Sequence, residues 1–315
     1  MMYNRTIKRI VLGWVLLIVL VALFGKVSIA ASNGGRTAAD FLQIGTGAGA
    51  AGMGGAFTAV SSGADAAFWN PAGLIGAERS EIQLNHFAWY QDIYLEHAAA
   101  AIPLGDRFSL AASLTYLSYG DIQGYDADGV ATTQLKAYDW SGGVSCGIRL
   151  NDYLSSGITI KYVSQNMADV SASTFAADFG LKYQIGRVSL AAVAANLGPQ
   201  MKFQTVKENL PTAYRLGVAV RPFGAQFLTS VELEKKAAGE LDIRHGVEFG
   251  FLNQYYLRAG YSYYPDREYR TFGGGVSVGA GIRFNRLVFD YAFTPSDSYT
   301  SETLHRFSLT LALGH

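Results

Sequence analysis

The chain has 315 residues, 25 basic against 25 acidic, so it carries no net field to attract nucleic acid or to press it onto an anionic membrane surface. Charged residues make up only 16% of it, below the roughly 25% of ordinary soluble domains, while 36 glycines and 13% aromatics are high. The single Cys146 excludes an internal disulfide and a cysteine cluster for zinc or iron–sulfur, and beyond residue 25 no apolar run is long enough for a spanning helix.

The chain begins with Arg5, Lys8 and Arg9, followed by the apolar run from Ile10 to Phe24 and the small-residue ending Ser28-Ile29-Ala30. This order predicts a secretory signal over residues 1–30, cleaved on export. The alternative is an uncleaved anchor, because the run is slightly long and Lys26 stops it. With no cysteine at the cleavage point the chain is not expected to be a lipoprotein, which leaves a soluble exported protein or an outer-membrane barrel.

Residues 31–78 are rich in glycine and alanine, and Gly47, Gly49 and Gly52 spell the dinucleotide fingerprint G-x-G-x-x-G with Asp65 downstream. A working fingerprint needs a strand before it and a helix after it, so that a pyrophosphate meets the helix N-terminus. Here Gly54 and Gly55 weaken such a helix and Pro71 ends any continuation. The glycines Gly52, Gly54 and Gly55 instead suit a backbone packed closely in a confined space, a compact plug.

From residue 79 to 315 the sequence alternates with period two. Tyr214, Leu216, Val218 and Val220 stand against Arg215, Gly217, Ala219 and Arg221, and similar segments recur to the C-terminus. Turn residues divide the region into about fourteen strands, many approaching the ~9–11 residues of a tilted membrane-crossing strand. In lipid only a closed barrel satisfies every backbone group of such strands, so the expected fold is an all-β, antiparallel up-and-down transmembrane barrel. Trp89-Tyr90, Tyr116 with Tyr119, Tyr255-Tyr256 and Tyr261-Tyr263-Tyr264 read as interfacial girdles.

The charged set Lys161, Asp178, Lys182, Arg215, Arg221, Glu232, Glu234, Arg244, Glu248, Arg258, Arg283, Asp290 and Arg306 is placed inward, since each charge on the lipid face costs up to a few kcal/mol near the midplane. Mixed signs in a narrow lumen point to a salt-bridged network rather than a selectivity filter. The connections Gly120–Gly129 and Met201–Asn209 read as the longer, polar or mixed loops. Gly143–Gly147 and Gly275–Gly279 match G-x-S-x-G, but a nucleophile elbow needs strand, turn and helix, and both lie within strand patterns. His86, His97, His245 and His305 show no partner spacing, and Cys146 reads as a filler. No catalytic residue, metal ligand or cofactor site is expected, and no nucleic-acid partner.

The segment Phe41-Leu42-Gln43-Ile44-Gly45, then Met53-Gly54-Gly55-Ala56-Phe57, then Trp69-Asn70-Pro71-Ala72-Gly73-Leu74 resembles the N-terminal signature of the PorV/PorQ family, within the FadL-like (OmpP1) superfamily of outer-membrane proteins. The resemblance implies a fourteen-stranded FadL-like barrel in the bacterial outer membrane, with residues 31–78 folded as a hatch in the lumen and 79–315 as the barrel. Phe68, Trp69, Asn70 and Pro71 are the candidates for a hatch anchor or gate, with simple packing of the hatch as the plainer reading. Two non-enzymatic roles follow from it. One is a partner-binding or shuttle component of type IX secretion and surface attachment, whose partners are secreted cargo with C-terminal β-sandwich signal domains or attachment-complex subunits. The alternative is FadL-like uptake of long-chain fatty acids or other hydrophobic molecules. Polar inward positions and modest loops favour the first.

Overall fold

The computed structural model describes residues 37–89, 92–126, 128–237, 241–264, 275–295 and 303–314; the expected signal at 1–30 lies outside them. The wall consists of β1 (Ser80–Ala88), β2 (Tyr94–Leu104), β3 (Phe108–Tyr125), β4 (Ala131–Arg149), β5 (Leu154–Met167), β6 (Val170–Ile185) and β7 (Val188–Leu197), then β10 (Ala213–Val220), β11 (Phe227–Lys236), β12 (Leu241–Phe251), β13 (Tyr255–Tyr263), β14 (Gly275–Phe284), β15 (Leu287–Thr294) and β16 (Leu304–Leu313). A small hairpin of β8 (Met201–Phe203) and β9 (Val206–Glu208) fills the connection between β7 and β10. The fourteen wall strands form a closed antiparallel barrel, sealed where β1 pairs with β16 and Leu84 stands opposite Leu309.

Period-two alternation explains the wall directly. Outward positions such as Leu84, Leu114, Val144, Ile160, Phe175 and Leu257 are apolar and exposed, whereas their neighbours Asn85, Thr115, Ser145 and Thr159 are polar and buried. A belt of exposed apolar residues around a closed sheet is far larger than an aqueous surface tolerates, and it is what a bilayer requires. Among the described residues no helix is long and apolar enough to cross a membrane; the strands cross it instead.

Where two aromatics are adjacent in sequence, the same alternation sends them to opposite faces. Tyr116, Tyr255, Tyr261 and Tyr263 do point outward, and Tyr116 lies between Tyr94 and Tyr138 in a row of rings. Trp89, Tyr119 and Tyr256 do not belong to a girdle. Trp89 stacks on Phe87 inside, the Tyr119 hydroxyl donates to Asp139, and Tyr256 lies under the Arg258 guanidinium.

The wall is uneven in height. Strands β3 to β6 run 18, 19, 14 and 16 residues, while β10 to β16 run 8 to 11. The segment expected to be a loop at Gly120–Gly129 is largely strand: Asp121 pairs with Lys136 and Gln123 with Gln134 beyond a bulge after Ser118. The β2 partner ends at Ser118 and the β5 partner at Ala137, so the tip of the β3–β4 hairpin rises about 20 Å above its neighbours at ~3.3 Å per residue. The longer connections share this end; the other end carries short turns such as Gly186-Arg187 and Asn285-Arg286. Short turns mark the periplasmic side of such barrels, so the hairpin end faces outward from the cell.

The expectation of a polar lumen holds for only part of its depth. At the outer end Phe41 and Leu42 pack with Phe87, Leu95, Leu117, Val163, Met201, Leu210 and Leu304 in an apolar core. Elsewhere in the lumen charged side chains are interleaved with smaller apolar clusters, such as Met53, Phe57, Trp69 and Leu228.

Candidate functional site: the hatch and its seats

The segment before β1 lies inside the wall, because it hydrogen-bonds to strands on every side: Ala39 N–H to Gln165, Thr58 N–H to Glu232, Ala64 N–H to Glu81 and Ala48 N–H to Ser308. Its own structure is short: 3-10 turns at Asp40–Gln43, Gly63–Asp65 and Pro71–Gly76, and helical turns at Ala48–Gly52 and Ala66–Trp69. Among the described residues no strand precedes Gly47, and no βαβ unit surrounds the apparent dinucleotide fingerprint.

Asn70 is the most constrained hatch residue. It is fully buried; its Oδ1 accepts the Ala72 N–H at 3.0 Å, capping the turn that Pro71 begins, and its Nδ2 donates to Thr58 O at 3.1 Å and Leu181 O at 3.3 Å. One side chain thus starts a turn and ties two hatch segments to the wall. Trp69 donates Nε1–H to Thr46 O at 3.0 Å, meets Phe57 and Phe68 edge-on, and lies 5.6 Å below the Arg215 guanidinium. Phe68 also approaches His97 edge-on at 6.0 Å.

Glycines in the wall shape two seats. Gly147, Gly157 and Gly180 face one another across β4, β5 and β6, and Asn70-Pro71-Ala72 lies directly over them. A Cβ on Gly157 would overlap the Pro71 carbonyl group, and one on Gly180 the Asn70 Oδ1. On the opposite side Gly246 pairs with Gly260, and Met53-Gly54 rests on both. Gly54 and Gly55 take left-handed φ of 65° and 76°, which turns the hatch at this contact, and Gly52 lies against Gly279. Wall hydroxyls finish the fit: Ser262 Oγ–H donates to Gly54 O at 2.7 Å, Ser189 to Ala59 O at 3.0 Å and Ser155 to Ala72 O at 3.0 Å.

Most of the expected lumenal charges come together in pairs and networks. Arg215 pairs with Glu234, and Arg244 reaches Glu232 and Glu234 at 3.1 Å and Asp242 at 3.3 Å. Arg258 bridges Glu248 at 2.7 Å and Asp290 at 2.6 Å, and Lys161 pairs with Asp178 at 2.9 Å. Lys182 and Arg306 instead hold hatch carbonyls, Ser61 O at 2.7 Å and Gly45 O at 3.0 Å, with Arg306 also 4.2 Å from the Phe87 ring centroid. Arg221 and Arg283 depart from the expectation. Both are exposed at the strand ends; Arg221 lies just past β10 and Arg283 sits over Tyr256, because alternation sets the face of a strand but not the depth.

Glu232 does more than pair with arginine: its Oε2 accepts the Phe57 and Thr58 amides at 3.1 and 2.8 Å. This hatch anchor, the one at Glu81, and the glycine seat of β4–β6 escape sequence reading, since each depends on which strand lies opposite. Asp65 accepts Gln83 Nε2–H at 2.9 Å and among the described residues meets no cation in an ion pair; burial pushes its carboxyl up to about 7.

Both G-x-S-x-G matches lie inside strands β4 and β14, without the strand–turn–helix of a nucleophile elbow. Among the described residues no group of three or more His, Cys, Asp or Glu is placed to hold a metal ion. Cys146 is a free thiol on an outward position of β4.

Solved structures share this architecture. The CymD monoaromatic hydrocarbon channel superposes with a TM-score of 0.62 at 14% identity, covering 86% of this chain and 98% of that one. The toluene transporter TodX of Pseudomonas putida gives 0.61 at 14% identity, covering 85% and 96%, and a FadL homologue of Pseudomonas aeruginosa gives 0.58 at 12%, covering 85% and 98%. At such identities the likeness is one of fold, a FadL-like outer-membrane barrel with its N-terminal segment inside. A search of curated proteins finds no match. The family model described as "Type IX secretion system protein PorV" matches residues 29–237 of the 315, a span that takes in the whole hatch with its three signature stretches and the wall through β11, and the chain belongs to that family.

Proposed function

We propose that the protein is a closed, non-enzymatic outer-membrane barrel that serves type IX secretion by binding protein partners at its outer end. The observation that carries this reading is the filled outer lumen. Phe41 and Leu42 of the hatch are buried against seven wall and loop side chains there, and Val163 and Met201 are fully buried. Among the described residues, a ligand reaching this depth from outside meets packed core. Above that core the β3–β4 hairpin offers Ile122, Tyr125, Val130 and Leu135 as exposed apolar residues, and among the described residues no wall strand pairs with its outer edges beyond Ser118 and Ala137. Unpaired edges accept strand addition from a β-rich partner. In this reading secreted cargo with a C-terminal β-sandwich domain, or an attachment-complex subunit, is the partner, and Phe68 to Pro71 keep the hatch seated while it docks.

Uptake of a hydrophobic molecule is the second reading. The apolar character of that same outer cluster favours it, since displacement of Phe41 and Leu42 leaves an apolar pocket of the kind such ligands use. Native mass spectrometry of the protein extracted from its own envelope in mild detergent separates the two. A bound secreted protein or attachment subunit is the expected result; a stoichiometric acyl or aromatic ligand without a protein partner moves the function to uptake.

A further inference from the structure

At the periplasmic mouth a cleft of about 320 Å³ opens between the hatch and the wall, floored by Ala72–Gly76 and bordered by the β4–β5 turn and the end of β6. Two cations line it, Lys182 and Arg149. The Lys182 ammonium, with three donors to place, has one acceptor, the Ser61 carbonyl at 2.7 Å. Arg149 is likewise held by carbonyls, with Nε on Asp106 O at 2.9 Å and Nη2 at 3.5 Å from Ile75 O.

Ion pairs of the described lumen involve Lys161, Arg215, Lys236, Arg244 and Arg258; neither Lys182 nor Arg149 joins one. Arg221 adds like charge near Lys182, and Asp152 on the exposed turn is the one carboxylate lining the cleft. Neutral donors complete the lining. Asn151 spends its oxygen on the Tyr153 and Leu154 amides, which leaves its NH₂ group to donate, and Gln184 stands beside it. A half-buried ammonium with excess donors and no ion-pair partner among the described residues is an anion site by chemistry.

We propose that this cleft binds an oxyanion, a carboxylate or phosphoryl group presented from the periplasm, and that the bound anion ties the hatch to β4–β6. Lysine supplies a point charge and Arg149 a planar fork, a pairing suited to either group. Because Ala72–Gly76 forms the floor, occupancy stabilises the seated hatch over the displaced one.

The test is calorimetric titration of the full chain in detergent micelles with inorganic phosphate and, separately, acetate, together with hydrogen exchange over residues 72–76. Saturable binding is expected, weakened roughly tenfold in Lys182→Gln, about 1.4 kcal/mol, restored largely in Lys182→Arg, and accompanied by slower exchange over 72–76. Binding by both probes assigns any oxyanion; binding by phosphate alone assigns a phosphoryl group. Absence of saturable binding, or an isotherm unchanged in Lys182→Gln, overturns the site. If that variant fails to fold, Arg149→Gln at the exposed strand end carries the same expectation. Binding without slower exchange overturns the tie to the hatch.

Discussion

The hatch is held in two different ways on the two sides of the barrel. Against the tall strands β4–β6 it rests on Gly147, Gly157 and Gly180, backbone on backbone, with polar ties through Asn70, Ser155 and Lys182. Against the short strands β10–β15 it also meets glycines, but there the wall is cross-braced by Arg215, Glu232, Glu234, Arg244, Arg258 and Asp290, and Glu232 reaches in to hold two hatch amides. Both sides fit the hatch by shape, but only the second adds a carboxylate, Glu232, that holds hatch amides from within an ion-pair network. A steric seat fails when something is added, whereas an electrostatic one fails when something is removed.

That contrast is open to direct attack. The largest effect is expected from Glu234→Ala, which takes away the carboxylate that pairs with Arg215 and one of the partners of Arg244 and Lys236; breaking a buried network in this way costs about 3–5 kcal/mol, read as a lowered urea midpoint of unfolding in micelles. Gly180→Val adds atoms where Asn70 lies and should cost up to about 3 kcal/mol of hatch docking, visible as new conductance in a planar bilayer while the barrel keeps its heat-modifiable migration. If Gly180→Val leaves conductance at the wild-type level, the steric seat is not what closes the lumen. Asn70→Ala removes the turn cap, one tie within the hatch and one to the wall, an expected loss of about 1–2 kcal/mol, measured as faster hydrogen exchange across Pro71–Gly76.

The smallest effect concerns pH. Burial raises Asp65 from its usual 3.8 to about 7, so the folded hatch binds a proton that the unfolded chain releases at lower pH. The stabilisation is complete below about pH 4 and is lost as pH rises through 7. Hatch exchange should therefore speed up across that window in the wild type, and Asp65→Asn should flatten the slope. An unchanged slope in the variant would place the titration on another group.

Much of the wall was legible because period-two alternation carries face information in every residue. Tyr214 to Val220 reads as a strand with Arg215 inward, and that is where β10 puts it. What alternation lacks is depth and register. Arg221 and Arg283 obey the pattern yet sit at strand ends in reach of water. Gly120 to Gly129 has the composition of a loop, but the ladder from Asp121–Lys136 to Gln123–Gln134 draws much of it into the sheet. The glycine seats are invisible for the same reason: Gly147, Gly157 and Gly180 are separate residues in sequence and become a surface only when three strands pair in one register.

The position of the hatch also constrains the order in which the molecule can be built. Its residues precede β1 in the chain, yet Asn70 bonds to β6, Thr58 to Glu232 on β11, and Ala48 to Ser308, 260 positions away. The last of these contacts, to β16, cannot exist until the whole wall has been laid down. Pro71–Gly76 runs on through Ala77 into β1, the strand that must finally meet β16. The last seam of the cylinder is therefore closed by the strand tethered to its own contents, and insertion of the hatch and sealing of the barrel become one late, slow step governed by the most distant contacts in the chain.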